Sequence, residues 1–93
     1  MAVKYLTIVF YGISRSKNCR CQRQFDFNEQ MANCDIFELL VSGRNYPFKL
    51  KRREFIEAEN TMRIIVEPFF PAIGTAIADA QDDPHWQVDH DFT

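Results

Sequence analysis

Residues 62–70 read Met-Arg-Ile-Ile-Val-Glu-Pro-Phe-Phe, the densest apolar run of the chain. The β-branched triplet Ile64-Ile65-Val66 favours extended backbone, so a strand is predicted over Met62–Glu67, with Asn60-Thr61 as the turn before it. Pro68 and Pro71 then stop the sheet. Pro71 suits the first turn of a helix, where its missing N–H costs nothing. The spacing of Ile73 and Ile77 predicts that helix over about 71–81, with a face of small residues (Ala72, Gly74, Thr75, Ala76, Ala78, Ala80). Close packing on the protein's own sheet accounts for such a face, and self-association in a homodimer is the competing use. Asp79 near the helix end opposes the macrodipole and is expected to be exposed or paired.

Charge changes sign across the same stretch. Residues 1–53 hold ten Lys/Arg against four acids, a charge of +6, and residues 54–93 hold one base against nine acids, a charge of −8. The net charge of −2 conceals this separation.

Upstream, Ala2–Tyr11 alternates with period two. Leu6, Ile8 and Phe10 point one way and Tyr5, Thr7, Val9 and Tyr11 the other, and both sides are largely apolar. A central strand covered on part of each face follows. Ile13–Gln24 carries four positive charges, no acid and no apolar period. It reads as a loop or an extended edge segment. Asp26 with Glu29 resembles a capping box, so a short helix is predicted over 27–34, followed by a strand over 36–42. A single helix ending at Gly43 is the competitor. Tyr46–Arg52 alternates aromatic and aliphatic residues with lysines, and Pro47 means that this strand sits at an edge or begins there. Arg53–Glu59 reads as a further strand or one helical turn.

The 93 residues suffice for one domain with a small core. The fold class is therefore α+β: a single domain over 1–81, with a mainly antiparallel sheet of four to five strands and one or two short helices. An acidic C-terminal tail follows over 82–93, and its Trp86, Val88 and Phe92 predict partial docking. No apolar run reaches the ~18 residues of a membrane span, and no signal-peptide pattern opens the sequence. The three cysteines, Cys19, Cys21 and Cys34, are an odd number with no framework spacing. A reducing cytoplasm, that of the host cell if the protein is viral, is the expected compartment.

Motifs for chemistry are absent. No Gly-x-Ser-x-Gly elbow surrounds Ser14, Ser16 or Ser42. The three glycines are isolated, so no phosphate-cradling loop exists. Cys19-x-Cys21 with Cys34 and His85 or His90 could supply zinc ligands, but it lacks the two-residue knuckle spacing. The Asp82, Asp83, His85, Asp89, His90, Asp91 cluster has ligand chemistry without a rigid element. No metal, no cofactor and no enzymatic activity are expected.

A small chain with segregated charge and no catalytic motif suits a protein that works by contact. The expectation is a non-catalytic interaction protein, an inhibitor or accessory factor of phage or mobile-element type, such as an anti-CRISPR or other anti-defence protein. It would bind a larger host complex through an acidic surface (Asp79, Asp82, Asp83, Asp89, Asp91) or a basic one (Arg15, Lys17, Arg20, Arg23, Lys51, Arg52, Arg53). Two alternatives stand beside it. One is a nucleic-acid-binding domain using the basic half, with Tyr5, Tyr11, Tyr46 and Phe48 as stacking platforms. The other is an oligomeric assembly subunit built through the helix at 71–81.

Overall fold

The computed structural model describes residues 3–71 and 73–90. Six strands form one mixed sheet: β1 (Tyr5–Ser14), β2 (Lys17–Asp26), β3 (Ile36–Val41), β4 (Arg44–Ile56), β5 (Thr61–Pro68) and β6 (Gln87–His90). Two helices, α1 (Glu29–Ala32) and α2 (Ile73–Gln81), complete the α+β architecture. The strand order is β3-β4-β5-β1-β2-β6. The sheet is neither four- or five-stranded nor purely antiparallel. β1 and β5 run parallel in the middle, paired from Tyr5↔Thr61 to Val9↔Ile65. Among the described residues, no helix is long and apolar enough to cross a membrane.

Two strands lie outside those that the sequence predicts: β2, in the basic stretch that reads as a loop or an extended edge segment, and β6, in the acidic tail. Lys17–Asp26 pairs with β1 along its whole length, Ser14↔Lys17 to Tyr5↔Asp26. Its inward positions are Cys19, Cys21 and Phe25, two thiols and one ring, a pattern weaker than the usual Val/Ile alternation. The connecting Arg15 and Ser16 both have positive φ (54° and 64°), the geometry of a two-residue hairpin turn. Asn or Gly normally marks that turn, and neither is present here.

Elsewhere the elements follow the sequence closely. α1 spans Glu29–Ala32, and its cap is Asn28, whose side chain accepts from the Met31 N–H, instead of Asp26. Ser42-Gly43 makes the β3–β4 turn with φ of 51° and 79°. β4 continues through Arg53 to Ile56 with a bulge between Leu50 and Arg52, and a 3₁₀ turn over Glu57–Glu59 follows. β4 is interior, so Pro47 does not mark an edge. Its carbonyl accepts from Phe69 N–H (3.1 Å), past the last β4–β5 pair at Phe48↔Pro68.

Both helices cover one face of the sheet. Leu6, Ile8, Phe10, Phe37, Leu39, Val41, Phe48, Ile64 and Val66 form the core there, with Ala32 of α1 and Ala76, Ile77 and Ala80 of α2. A Cβ at Gly12 would lie 2.8 Å from Ile73 Cγ1 and Ile77 Cδ1, so this glycine lets α2 seat against β1. Of the small residues, Ala76 and Ala80 pack on the protein's own sheet, Thr75 and Ala78 are exposed, and Ala72 lies outside the described residues. The opposite face has no covering element among the described residues. Val9 and Ile65, adjacent in register, are nonetheless 0 % and 2 % exposed there. Gln22 lies opposite Val9, and Arg52 opposite Ile65. Long polar side chains flank this second, smaller apolar pair.

Candidate functional site

The predicted charged surfaces are largely knitted into the fold. Asp79 accepts from the Tyr46 hydroxyl and pairs with Arg44 at 3.8 Å. Burial and the Asp79 carboxylate raise the Tyr46 phenol above its ordinary value. Asp83 accepts from the backbone N–H groups of Ser42 (2.7 Å) and His85 (2.9 Å), tying the segment after α2 to the β3–β4 turn. Asp89 pairs with Arg20 at 2.9 Å across the β2–β6 ladder. Asp82 is exposed, and Asp91 lies outside the described residues. Asp79, on a helix over the covered face, and Asp89, on the open face, do not share a surface.

The basic residues are distributed in the same way. The Arg53 guanidinium donates to the carbonyls of Ala32 (2.6 Å) and Cys34 (2.9 Å) and pairs with Asp35. It caps the C-terminal end of α1, where helix carbonyls lack internal partners. Arg52 pairs with Glu54, which also binds Arg63. Arg23 stacks over the Phe25 ring at 4.6 Å. Lys51 is exposed beside the β4 bulge, and Arg15 and Lys17 stand at the β1–β2 turn. Arg20 and Arg52 lie on the open face, Arg23 and Arg53 on the covered one, so no single cationic surface forms. Tyr46 and Phe48 are core residues and cannot stack on bases. Of the four proposed aromatic platforms, only Tyr5 and Tyr11 are exposed.

Two of the acids make stability depend on pH. Backbone N–H donors lower the Asp83 carboxyl below its ordinary 3.8, and the Arg20 hydrogen bond lowers Asp89. A depressed folded value means that the stabilisation is complete above the unfolded carboxylate range and is lost as pH falls through the folded value. Wild-type protein is therefore expected to lose thermal stability below about pH 4. Asp83→Asn should be less stable at neutral pH and lose less on acidification, as measured by Tm between neutral and strongly acidic buffer. An unchanged acid limb in Asp83→Asn would remove Asp83 from this account.

What the sequence did not signal is an apolar rim. Along β3, Phe37, Leu39 and Val41 face the core, which turns Ile36, Glu38 and Leu40 to the open face. Ile36 is 56 % exposed, Leu40 60 %, and Phe69, just past β5, 54 %. Lys49, opposite Ile36, pairs with Glu67 and lies over the Phe69 ring at 5.8 Å. β3 is also an outer strand of the sheet, unpaired on its outer side among the described residues. It carries no proline, lysine or bulge, the usual devices that discourage strand addition.

Two of the three thiols lie near the opposite edge, on β2. Cys19 and Cys21 are buried, and Cys34 is exposed, its thiol donating to the Gln30 carbonyl at 3.1 Å. Burial, with Cys19 and Asp89 nearby, pushes the Cys21 thiol up to about 12. Cys19 Sγ lies 3.4 Å from Nδ1 of His90, its cross-strand partner. Nε2 of that ring lies 3.3 Å from the Gln81 carboxamide nitrogen. A cavity of about 600 Å³ opens beside this group, lined by Ser14, Arg15, Lys17, Gln81, Trp86 and His90 among others. A second, more polar cavity of about 630 Å³ lies at the start of β6, with Arg20, Arg23, Arg63 and His85 in its walls. Among the described residues, no three His, Cys, Asp or Glu side chains converge to hold a metal ion, and Cys34 is not part of the Cys19–His90 group.

No protein-family model matches this chain. Neither a curated protein nor a solved structure shows significant similarity to it.

Proposed function

We propose that the chain is a small interaction protein that acts by contact, an inhibitor or accessory factor of phage or mobile-element type that docks on a larger host protein complex. The observation that carries this reading is the open β3 edge with Ile36, Leu40 and Phe69 beside it. An outer strand with backbone donors and acceptors turned outward is a template for an added strand, and alternating exposed side chains give such pairing its specificity. On β3 the Leu40 carbonyl is already bonded to Trp86 Nε1–H, which leaves the stretch around Ile36 and Glu38 for an added strand. Glu38 and the Lys49–Glu67 pair form a polar border to the apolar residues, the usual arrangement of a contact patch. The charge separation of the sequence supports this reading less than it first suggested, because Asp79, Asp83, Asp89, Arg20, Arg52 and Arg53 have partners within the fold.

The test is capture of a partner from nuclease-treated host lysate, followed by affinity measurement with that partner purified. Leu40→Lys, at an exposed position, should leave folding intact and weaken binding by at least about thirtyfold, the scale of an interface hot spot. Equal affinity of wild-type and Leu40→Lys protein would sink the β3 surface. Loss of all capture on nuclease treatment would instead favour a nucleic-acid ligand.

A further inference from the structure

Cys19 and Cys21 point to the same face of β2, two residues apart, yet their surroundings differ. Both sit in the apolar core, packing that favours an inert thiol, and no imidazole contact is found at Cys21 among the described residues. Cys19 faces an imidazole at 3.4 Å, and that imidazole contacts a side-chain amide through its other nitrogen at 3.3 Å. A thiol, a base and a group orienting the base, all within hydrogen-bond reach, are the constituents of an activated nucleophile. When the Gln81 carboxamide turns its oxygen to Nε2–H, Nδ1 becomes an acceptor facing the thiol. His90 and Gln81 both line the cavity of about 600 Å³, and Arg15 and Lys17 line it too. Cys19 itself is 2 % exposed and lies behind His90, which lines the cavity.

We propose that Cys19 is a covalent acceptor site, which takes an acyl group from a thioester on an anionic carrier. The thiol proton passes to His90 Nδ1 as Sγ attacks the thioester carbonyl carbon. The bond from that carbon to the carrier sulfur breaks, and Nδ1–H returns the proton to the departing thiolate. The products are S-acyl Cys19 and the free carrier thiol, with no other reactant consumed. Arg15 and Lys17 hold the carrier's negative charge at the cavity wall, and Gln81 positions His90. This role uses residues other than Ile36, Leu40 and Phe69 and does not rest on the β3 edge.

The experiment incubates the full chain with S-acetylglutathione, an anionic donor, or with the neutral thioester S-acetyl-N-acetylcysteamine, and maps acetylation by peptide mass spectrometry. Acetyl should appear on Cys19 and not on Cys21, and about tenfold faster from the anionic donor, the low end of electrostatic enhancement. His90→Ala should slow Cys19 acetylation by about a hundredfold, a modest general-base contribution, while Cys34 keeps its background rate. Should His90→Ala fail to fold, Gln81→Ala and Arg15→Ala alter exposed residues and carry the same tests, of rate and of donor preference. The proposal is overturned if Cys19 in the wild-type protein stays unmodified or reacts no faster than Cys34. Equal rates from the two donors would remove the anionic carrier, and an unchanged rate in the folded His90→Ala protein would remove the base.

Discussion

Truncation of Phe10 to alanine is expected to cost about 3–5 kcal/mol, the range for deleting a fully buried aromatic ring. Phe10 is completely buried on β1 at the centre of the covered face. Its ring meets Phe48 of β4 at 4.8 Å and Trp86 at 5.4 Å between centroids. It therefore links β1 to β4 and to the segment between α2 and β6 through one contact group. A domain of this size has roughly 5–15 kcal/mol in total, so the variant should be marginal at best. Urea unfolding measures the loss, and Phe10→Leu, which keeps most of the volume, should cost far less. A Phe10→Ala protein within about 1 kcal/mol of wild type would mean that this cluster collapses around the gap or does not hold the fold together.

Removing the Trp86 ring should have an effect of similar size, about 3–5 kcal/mol, with a different anatomy. The indole is buried against Phe10, and its Nε1–H donates to the Leu40 carbonyl at 3.2 Å. That bond ties the segment after α2 to β3. Trp86→Phe keeps most of the apolar contact and loses the donor, so it should cost about 1 kcal/mol, the usual net worth of one hydrogen bond. Because Phe10 and Trp86 touch, the double variant should lose less than the sum of the single losses. Trp86 is also the only tryptophan of the chain, so its emission reports the burial directly. Unaltered stability in Trp86→Ala would show that residues 82–90 ride on the domain without holding it.

Particular residues show why parts of this fold were legible and parts were not. β1, β5 and α2 carry their signals locally, in the alternation of Leu6, Ile8 and Phe10, the Ile-Ile-Val triplet, and the Ile73, Ile77 spacing, although α2 begins at Ile73 and Pro71 stands before it, not in its first turn. β2 and β6 do not. Arg20, Gln22 and Gln24 face the open side, and β6 is Gln-Val-Asp-His, so their strand character comes from the neighbours they pair with. Tertiary context overrides weak β-propensity in this way. The functional surfaces were hidden for a related reason. Ile36–Val41 is so apolar on both sides that it reads as fully buried, and only its outer position in the strand order leaves Ile36 and Leu40 exposed. Charge counting found the acids and bases but not their partners. Asp83 meets the Ser42 amide 41 positions away, and Cys19 meets His90 at a separation of 71. Such contacts belong to the topology and leave no trace in spacing.

The parallel β1–β5 pairing has a consequence for how the molecule is assembled. Residues 5–26 form one local hairpin, and residues 36–68 form a local meander of three strands. The sheet becomes continuous only where these two halves meet, along Tyr5–Val9 and Thr61–Ile65. Parallel contacts between distant segments form slowly, because the loop-closure entropy comes before the reward. The chain leaves the meander as α2, passes over β1 and pairs with the hairpin as β6. The C-terminal segment thus works as a clasp across a seam, and shortening it from that end would open the joint between two halves whose own hairpins remain intact.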